Sequence, residues 1–435
     1  MKAYLAFARD ISSGAIEPRL ADRGIHIVPA RPLAGELLGR LAGPAPRDFF
    51  HLAPDSAEYA RLVEELARTA ELLRAGVFGG PIAEGPSLRL GDRSERVLAL
   101  RTKLEALGGF GLVPVPPAPA ETGAAQPLLA EEDPMVVDEA LAEAVRQFQA
   151  RHGLEPDGVV GRLTLGVLQG ATDGRYGQIL ANLERIRWLH RDLSERHIFV
   201  NQANFSMELV ENDQALLESR VVVGKTPRFH TPEFVDTMDH LVVNPTWHVP
   251  TSIATKEILP LLQRDPTYLE RNGYRIVPVG ADPVPDGITS HYAQYSIGYF
   301  PFRIKQDPSE ANALGRVKFM FPNQFSIYLH DTPQKRLFAR DVRAFSHGCV
   351  RVQRAFDLAY ALLEGQVEDP PAAFQRWLDA QRERRIDLDR PVRVYLTYRT
   401  VWLDRAGELQ FRNDIYGRDA KVLAALEKAG VPVLR

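Results

Sequence analysis

The chain carries the stretch Phe345-Ser346-His347-Gly348-Cys349-Val350-Arg351, which decides the fold class and the chemistry together. Cys349 is the only cysteine among the 435 residues, and His330 precedes it in the run Ile327-Tyr328-Leu329-His330-Asp331-Thr332-Pro333. A lone cysteine beside a glycine, with a histidine near it in the sequence, is typical of a thiolate nucleophile and its base. The same pattern fits a small buried hydrophobic residue, as most free cysteines are. Spacing alone leaves both interpretations open.

Apolar residues recur at helical spacing just after the cysteine, at Val352, Ala355, Phe356, Ala359 and Leu362. This periodicity predicts an amphipathic helix that begins at or near residue 351. Residue 349 would then lie at the N-terminus of that helix, where backbone N–H groups and the macrodipole favour an anion. We therefore expect a lowered thiol pKa. The apolar residues 325–329 predict a short strand that ends at His330.

These motifs resemble the signature of the L,D-transpeptidases, the YkuD catalytic-domain family, which cross-link bacterial peptidoglycan. Further similarity to the large YcbB-type branch lies in Thr231-Pro232 after the apolar run 221–225, in Asn-Pro-Thr-Trp at 244–247 and in Asp-Ile-Tyr-Gly-Arg-Asp at 414–419. The resemblance implies an α+β multidomain protein. Its mostly β-sandwich catalytic domain, with a capping insertion, would follow a helical scaffold and a three-helix peptidoglycan-binding-like domain.

The order of patterns along the chain agrees with that organisation. Residues 59–73 show one apolar helix face, three helical patterns with matching turns occupy 86–170, and alternating strand patterns begin near 205. We expect a helical scaffold at 1–85, a peptidoglycan-binding-like module at 86–172 with a Pro-rich insertion at 110–130, a connecting helix at 173–196, and a catalytic domain at 197–435 with a lid at about 251–324.

Composition excludes several other classes of protein. Charged residues make up 25% of the chain, hydrophobic residues 45%, and the formal net charge is −3 without a basic block, so neither nucleic acid nor a polybasic membrane anchor is indicated. The sequence contains no nucleotide-binding glycine motif and no metal-ligand spacing, so we expect no cofactor and no metal. It shows no stretch long enough to span a membrane and no signal peptide. The resemblance nevertheless implies the periplasm or cell envelope, so we expect an export signal or anchor to have been removed from the N-terminus.

The resemblance assigns roles to the residues of the two motifs. Cys349 would be the nucleophile and His330 the general base. The acceptor for the second ring nitrogen of His330 is the main-chain carbonyl of Asp331 in the family, and the Asp331 side chain is the alternative. Residue His347 would be structural or would orient substrate.

Several further residues keep two interpretations each. The simplest oxyanion hole uses the N–H groups of Gly348 and of the cysteine, and Tyr328 either adds a hydroxyl to it or packs in the core. Arg351 either binds a substrate carboxylate or forms a structural ion pair. Trp247 either forms a wall of the cleft or belongs to the core, and Ser346 is assigned to substrate binding.

The implied reaction joins two peptidoglycan stems. The thiolate would attack the bond between the L-centre of diaminopimelate and the terminal D-alanine of a donor tetrapeptide. The acyl group of the resulting thioester would pass to the side-chain amine of an acceptor stem, which gives a 3→3 cross-link. The same thiolate would be acylated by carbapenems, so the resemblance also implies a carbapenem target. The implied partners are these stems, and the resemblance allows other cell-wall synthases. An L,D-carboxypeptidase and a non-catalytic peptidoglycan-binding protein are the alternatives.

Overall fold

The computed structural model describes residues 1–42, 52–108, 133–189, 193, 195–279 and 292–434. The Pro-rich insertion predicted at 110–130 and the irregular run at 280–287 lie outside these described residues. Among the helices that are described, none is both long enough and apolar enough to cross a bilayer.

The helices of the described chain are α1 (Lys2–Ser13), α2 (Pro18–Ala21), α3 (Ala34–Ala42), α4 (Ala57–Ala75), α5 (Arg96–Ala106), α6 (Glu139–Arg151), α7 (Arg162–Asp173), α8 (Arg175–Trp188), α9 (Thr251–Ile253), α10 (Leu259–Arg264), α11 (Tyr268–Arg271), α12 (Ala355–Leu363), α13 (Pro370–Asp379) and α14 (Arg418–Lys428). The strands are β1 (His197–Asn201), β2 (Ser206–Glu211), β3 (Gln214–Gly224), β4 (Phe234–Val243), β5 (Trp247–His248), β6 (Tyr274–Pro278), β7 (Phe302–Gln306), β8 (Val317–Met320), β9 (Leu329–His330), β10 (Ala344–Ser346), β11 (Val350–Val352), β12 (Arg384–Thr397), β13 (Val401–Leu403) and β14 (Leu409–Phe411). The predicted α+β organisation is confirmed.

The chain divides into two compact units. The helical unit comprises Met1–Arg191 together with Tyr398–Arg435, and the sheet unit comprises Asp192–Thr397. This corrects the expected catalytic domain at 197–435, because the last 38 residues belong to the helical unit. Val422 and Leu426 of α14 are buried in one cluster with Leu180 and Trp188 of α8. The C-terminal segment therefore covers apolar surface that α8 would otherwise expose to water.

Helix α8 is a central element of the helical unit and not the connecting helix expected at 173–196. Ten of its residues are buried, among them Ile179, Leu183 and Trp188. Its other face meets the β13–β14 hairpin, since Ile179 and Leu183 share a cluster with Val401 and Phe411. A helix buried on several faces requires neighbours on each of them, which the hairpin and α14 supply.

The three-helix module is built from α5, α6 and α7, as the periodicity predicts. Its buried core contains Val97, Leu100, Leu141, Phe148 and Leu168. The Asp138 carboxylate caps α6 by accepting from Leu141 N–H at 2.7 Å.

The main sheet of the sheet unit has nine strands in the order β10-β3-β11-β9-β8-β4-β12-β1-β2, and a further β2–β3 pairing closes it on itself. Strand β3 makes this closure possible because it is long. Its first part pairs with β2 and its last residues pair with β11 and β10. Burial follows the same division, since it alternates in the first part and is continuous over residues 221–224. The predicted apolar run at 221–223 is therefore the end of β3 that lies between two other strands.

The cap is the segment that runs from β5 through β7, and the structure describes its residues 247–279 and 292–306. It contains a three-stranded sheet in the order β5-β7-β6 and the short helices α9, α10 and α11, with a π-helical turn at Ala254–Ile258. The lid expected at about 251–324 is longer than this, because residues 317–320 form β8 and pair with β4 and β9 in the main sheet. The insertion therefore ends before β8.

Candidate active site

The register of two parallel strands brings the two sequence motifs together. Val350 pairs with Leu329 and Arg351 with His330, and Val350 N–H donates to the carbonyl of Tyr328 at 3.1 Å. The residue before β11 is Cys349, so it lies beside Tyr328, the residue before β9. Side chains two positions apart on a strand share a face. Cysteine, tyrosine and histidine are therefore presented on one face of the sheet.

The helix expected after the cysteine begins later than predicted. Residues 350–352 form β11, and α12 begins only at Ala355. Cys349 therefore precedes a strand and gains nothing from a helix N-terminus. Its pKa is also higher than expected: burial raises it to about 11, and hydrogen bonds from Tyr328 together with the charge of Arg351 lower it only in part. The expectation of a lowered thiol pKa is wrong for this conformation.

The ring of His330 is oriented by the backbone. Its Nδ1–H donates to the carbonyl of Asp331 at 2.5 Å, so Nε2 is the unprotonated nitrogen. The pKa of His330 is lowered to about 3, chiefly by burial and also by the charge of Arg351. Hydrogen bonds to the backbone carbonyls of Asp331 and Leu314 oppose this shift. The imidazole is neutral at physiological pH and can accept a proton.

The carboxylate of Asp331 has a structural role. Of the two acceptors considered for the second ring nitrogen of His330, the carbonyl and the side chain of Asp331, the carbonyl is therefore the one in contact. The carboxylate accepts from Arg316 N–H at 2.9 Å and pairs with the ammonium of Lys335. Gly315 lies so close that an added Cβ would be 2.3 Å from Asp331 Oδ2, and its φ is +65°. The carboxylate therefore fixes the start of β8, and the carbonyl of the same residue orients the histidine.

The loop between β10 and β11 is tightly hydrogen-bonded within itself. Ser346 Oγ donates to the carbonyl of Cys349 at 2.5 Å and accepts from Gly348 N–H at 3.1 Å. Ser346 is 2% exposed and its hydroxyl is used within this loop, so it shapes the loop, and its predicted part in substrate binding stays a prediction. The Gly348 N–H is also engaged, which removes it from the predicted oxyanion hole in this conformation. Gly348 itself has a φ of +118°, a conformation that disfavours any other residue.

Two residues to which the sequence analysis gave no part in the site, Thr231 and Asn323, support it through hydrogen bonds. Thr231 is fully buried, and its hydroxyl donates to the carbonyl of Gly348 at 2.7 Å while it accepts from Gly224 N–H. The side chain of Asn323 bonds the backbone of Phe321, Phe325 and Ile327 and so shapes the turn before β9. That turn presents the Ser326 carbonyl, which lies 3.7 Å from Cys349 Sγ. A Pro-Asn pair in a turn is the signal that could have pointed to Asn323.

Tyr328 is half-buried and contacts both reactive side chains. Its ring lies edge-on to that of His330 with centroids 5.7 Å apart, and hydrogen bonding links it to Cys349. Burial and the neighbouring thiol raise its pKa, so its hydroxyl remains a hydrogen-bond donor. Within the described chain, no hydrogen bond joins the sulfur to His330 directly. Such contacts are often long in enzymes without substrate.

Arg351 projects a half-buried guanidinium beside this site. Its Nη1 donates to Gln334 Oε1 at 2.8 Å, whereas its Nε is buried and has no partner among the described residues. Burial lowers its pKa, and Cys349 opposes that shift. The expected alternative of a structural ion pair is not seen in the described chain. An incompletely bonded guanidinium is suited to an anionic ligand.

His347 points toward the cap. Its Nε2 lies 2.5 Å from Glu257 Oε1, and its ring packs edge-on against Phe229 with centroids 4.5 Å apart. Glu257 lies on the π-helical turn, a type of distortion that occurs frequently at functional sites. Trp247 is a partly buried neighbour of the cap's own core, 6.1 Å from the ring of Tyr274, so its contacts are those of a packing residue.

Comparisons with known proteins identify two domain families in the chain. Residues 195–369 match the family model described as "L,D-transpeptidase catalytic domain" (YkuD), and residues 93–168 match that described as "Putative peptidoglycan binding domain". A curated protein of Haemophilus influenzae named "Putative L,D-transpeptidase" is 34% identical over 230 residues, which is 52% of this chain and 45% of that protein. The similarity therefore spans less than half the length of that relative.

Solved structures of L,D-transpeptidases were also found. One from Xylanimonas cellulosilytica is 16% identical, covers 73% of this chain and 100% of its own, and has a TM-score of 0.19. One from Stackebrandtia nassauensis is 14% identical, covers 74% of this chain and 98% of its own, and has a TM-score of 0.24. Similarities at these TM-scores carry no argument about this chain. On the two family models, the chain contains a catalytic domain of the YkuD family of L,D-transpeptidases and a peptidoglycan-binding domain.

Proposed function

We propose that the protein is a peptidoglycan L,D-transpeptidase of the YcbB-type branch that acts at the cell wall, in the periplasm, with Cys349 as nucleophile and His330 as general base. The observation that carries the proposal is the orientation of the histidine. Because Nδ1–H is committed to the Asp331 carbonyl, Nε2 is free to accept a proton on the face that also presents the cysteine. Nucleophile, base and backbone orienter form the arrangement that covalent catalysis requires.

The free enzyme would hold a neutral thiol and a neutral imidazole. A thiol pKa of about 11 and an imidazole pKa of about 3 both disfavour an ion pair in the empty site. The proton would therefore move from Sγ to Nε2 as the sulfur attacks the carbonyl between diaminopimelate and D-alanine. The histidine would then pass that proton to the amine of D-alanine as the C–N bond breaks, which leaves a thioester on Cys349.

The second half of the reaction reverses this proton transfer. The side-chain amine of an acceptor diaminopimelate would attack the thioester and give a proton to His330, and the sulfur would recover it on leaving. The product is a 3→3 cross-link. Tyr328 is suited to stabilise the oxyanion through its hydroxyl, because its raised pKa keeps it a donor. Arg351, with its incompletely bonded guanidinium, is suited to a carboxylate of the donor stem.

The test uses purified disaccharide-tetrapeptide and identifies the products by mass. We expect a dimer that has lost one D-alanine, no product from Cys349→Ala, and a rate lowered by ~10²–10⁴ in His330→Ala. Cys349→Ser should be nearly inactive, because a hydroxyl is far harder to ionise than a thiol. Asp331→Asn serves as the control, because it keeps the carbonyl that orients His330 while it changes the carboxylate.

Two outcomes would overturn the proposal. Dimer formation by Cys349→Ala at a rate comparable with that of the unmodified protein would exclude the nucleophile. Release of tripeptide without any dimer, at saturating acceptor, would assign a carboxypeptidase instead.

A further inference from the structure

A cavity of about 190 Å³ lies within the helical unit, and none of the candidate catalytic residues lines it. It has room for about six waters at ~30 Å³ each. Its lining comes from α4, the residues after α5, the end of α6, the start of α8 and the β14 region. It combines four arginines, the carboxylates of Glu65 and Glu408, and apolar side chains. The arginines are Arg61, Arg68, Arg151 and Arg175, and the apolar side chains are Leu107, Phe148, Leu409 and Phe411.

Charge compensation in this cavity is incomplete by one unit. Three of the arginines each have a carboxylate partner, namely Arg61 with Glu64 at 3.3 Å, Arg68 with Glu65 at 2.8 Å and Arg151 with Glu408 at 2.8 Å. Arg175 forms no ion pair within the described chain. The carboxylate of Glu65, which pairs with Arg68, also raises the pKa of Arg175 through its charge, but it makes no ion pair with Arg175. A buried cation without an ion-pair partner of its own is costly, so such a residue is suited to a bound anion.

The contacts of Arg175 leave one side of its guanidinium unused. The residue is 4% exposed, and its guanidinium carbon lies 3.7 Å from the centroid of the Phe411 ring. Its Nη2 is 3.3 Å from His152 Nε2, and its Nε donates to the Ala171 carbonyl at 3.5 Å. Among the described residues Nη1 has no hydrogen-bond partner. Burial lowers the pKa of Arg175 to about 10, so it stays protonated at neutral pH.

His152 does not supply the missing negative charge. Its Nδ1–H donates to the Phe148 carbonyl at 2.7 Å, so Nε2 accepts from Arg175 as a neutral acceptor. Burial lowers the pKa of His152 well below its ordinary value, and the charge of Arg175 acts in the same direction. The ring is stacked between Phe148 and Phe411, with centroids 3.9 and 5.3 Å away, so it also stiffens the wall of the cavity.

We propose that this cavity binds a small monocarboxylate with an apolar body, held through its carboxylate by the free edge of Arg175. A planar carboxylate fits a guanidinium edge in the same plane, and the guanidinium already packs over the ring of Phe411 with its carbon 3.7 Å from the ring centroid. One unpaired positive charge matches a monoanion and not a dianion such as phosphate. The apolar lining then covers the rest of the ligand. The carboxyl end of a short peptide and a free small acid present the same group.

The experiment measures binding to the full chain by calorimetry, with N-acetyl-D-alanine, N-acetyl-D-alaninamide and inorganic phosphate as probes. We expect N-acetyl-D-alanine to bind at least tenfold more tightly than its neutral amide and than phosphate. Arg175→Met should weaken that binding at least tenfold, whereas Arg93→Met, an exposed arginine of the same unit, should leave it unchanged. A tetrapeptide stem is the fourth probe: tighter binding than N-acetyl-D-alanine assigns the peptide end, and weaker binding assigns the free acid.

Folding of the variants is followed by thermal melting of the full chain in the absence of ligand. If Arg175→Met fails to fold, Arg175→Lys keeps the charge, loses the planar edge, and should still weaken binding at least tenfold. No detectable binding of N-acetyl-D-alanine at millimolar concentration, equal binding of the amide, or unchanged binding in a folded variant at position 175 would each overturn the proposal.

Discussion

The ionisation of Cys349 gives the sharpest test of the site, because the chain has one cysteine and any thiol chemistry reports on it. Burial raises its pKa from 9.0 to about 11. At pH 7 the thiolate fraction then falls about 100-fold relative to an unperturbed thiol. A more basic thiolate is a better nucleophile, and with a Brønsted coefficient of ~0.45 the rate constant of the thiolate rises about eightfold. Alkylation of the folded protein should therefore be about 12-fold slower than that of the unfolded chain at pH 7.

The assay follows iodoacetamide incorporation by intact-protein mass between pH 6 and pH 10.5, with the protein unfolded in guanidinium chloride as the reference. The rate should keep rising about tenfold per pH unit up to pH 10 in the folded protein, whereas the unfolded reference bends near pH 9. Tyr328→Phe should raise the thiol pKa of the folded protein further, since hydrogen bonding from Tyr328 lowers that pKa. Restricted access slows the reaction at every pH but does not move the midpoint. A plateau at or below pH 8 would show a preformed thiolate–imidazolium pair and refute the reasoning.

Three further predictions concern positions around the site and in the helical unit. Gly348→Ala should lower the free energy of unfolding by ~1–3 kcal/mol in chemical denaturation, because its φ is +118° and the added Cβ would meet Ile327 Cδ1 at 3.1 Å; an unchanged midpoint would contradict this. Asp419→Ala should lower the free energy of unfolding by ~3–5 kcal/mol, because it leaves the buried guanidinium of Arg185 without its carboxylate. The control is Asp389→Ala, at an exposed aspartate, which should leave the free energy of unfolding nearly unchanged. Glu257→Ala should raise the ratio of tripeptide to dimer at a nearly constant melting temperature, because the cap loses its contact with His347; an unchanged ratio would exclude a water-excluding role for that contact.

Local patterns predicted the parts of the structure that local physics determines. The three helical patterns at 86–170 became α5, α6 and α7, since an apolar stripe at 3.6-residue spacing can be buried only as a helix face. The apolar run at 221–223 is the end of β3 that has a neighbouring strand on each side. His330 is the last residue of a strand, as expected, although β9 is only two residues long.

The remaining features depend on contacts between distant parts of the chain. The helix predicted to begin at or near residue 351 begins later, because the residues Val350-Arg351-Val352 fit both a first helical turn and a short strand, and pairing with β3 and β9 decides between them. The raised thiol pKa follows from burial by the same neighbours. The ion pair between Arg185 and Asp419 joins residues 234 positions apart, so no window of the sequence could show that the C-terminal segment returns to the helical unit.

That return has a consequence for the order in which the protein is made. About 200 residues of the sheet unit separate α8 from α14, so α8 leaves the ribosome roughly 10 to 40 s before its partner at ~5–20 residues per second. During this interval the apolar residues of α8 that contact Val422 and Leu426 have nothing to cover them. The nascent chain would expose this apolar surface to chaperones until α14 has been synthesised. The helical unit, which comes first in the sequence, is thus expected to complete its folding last.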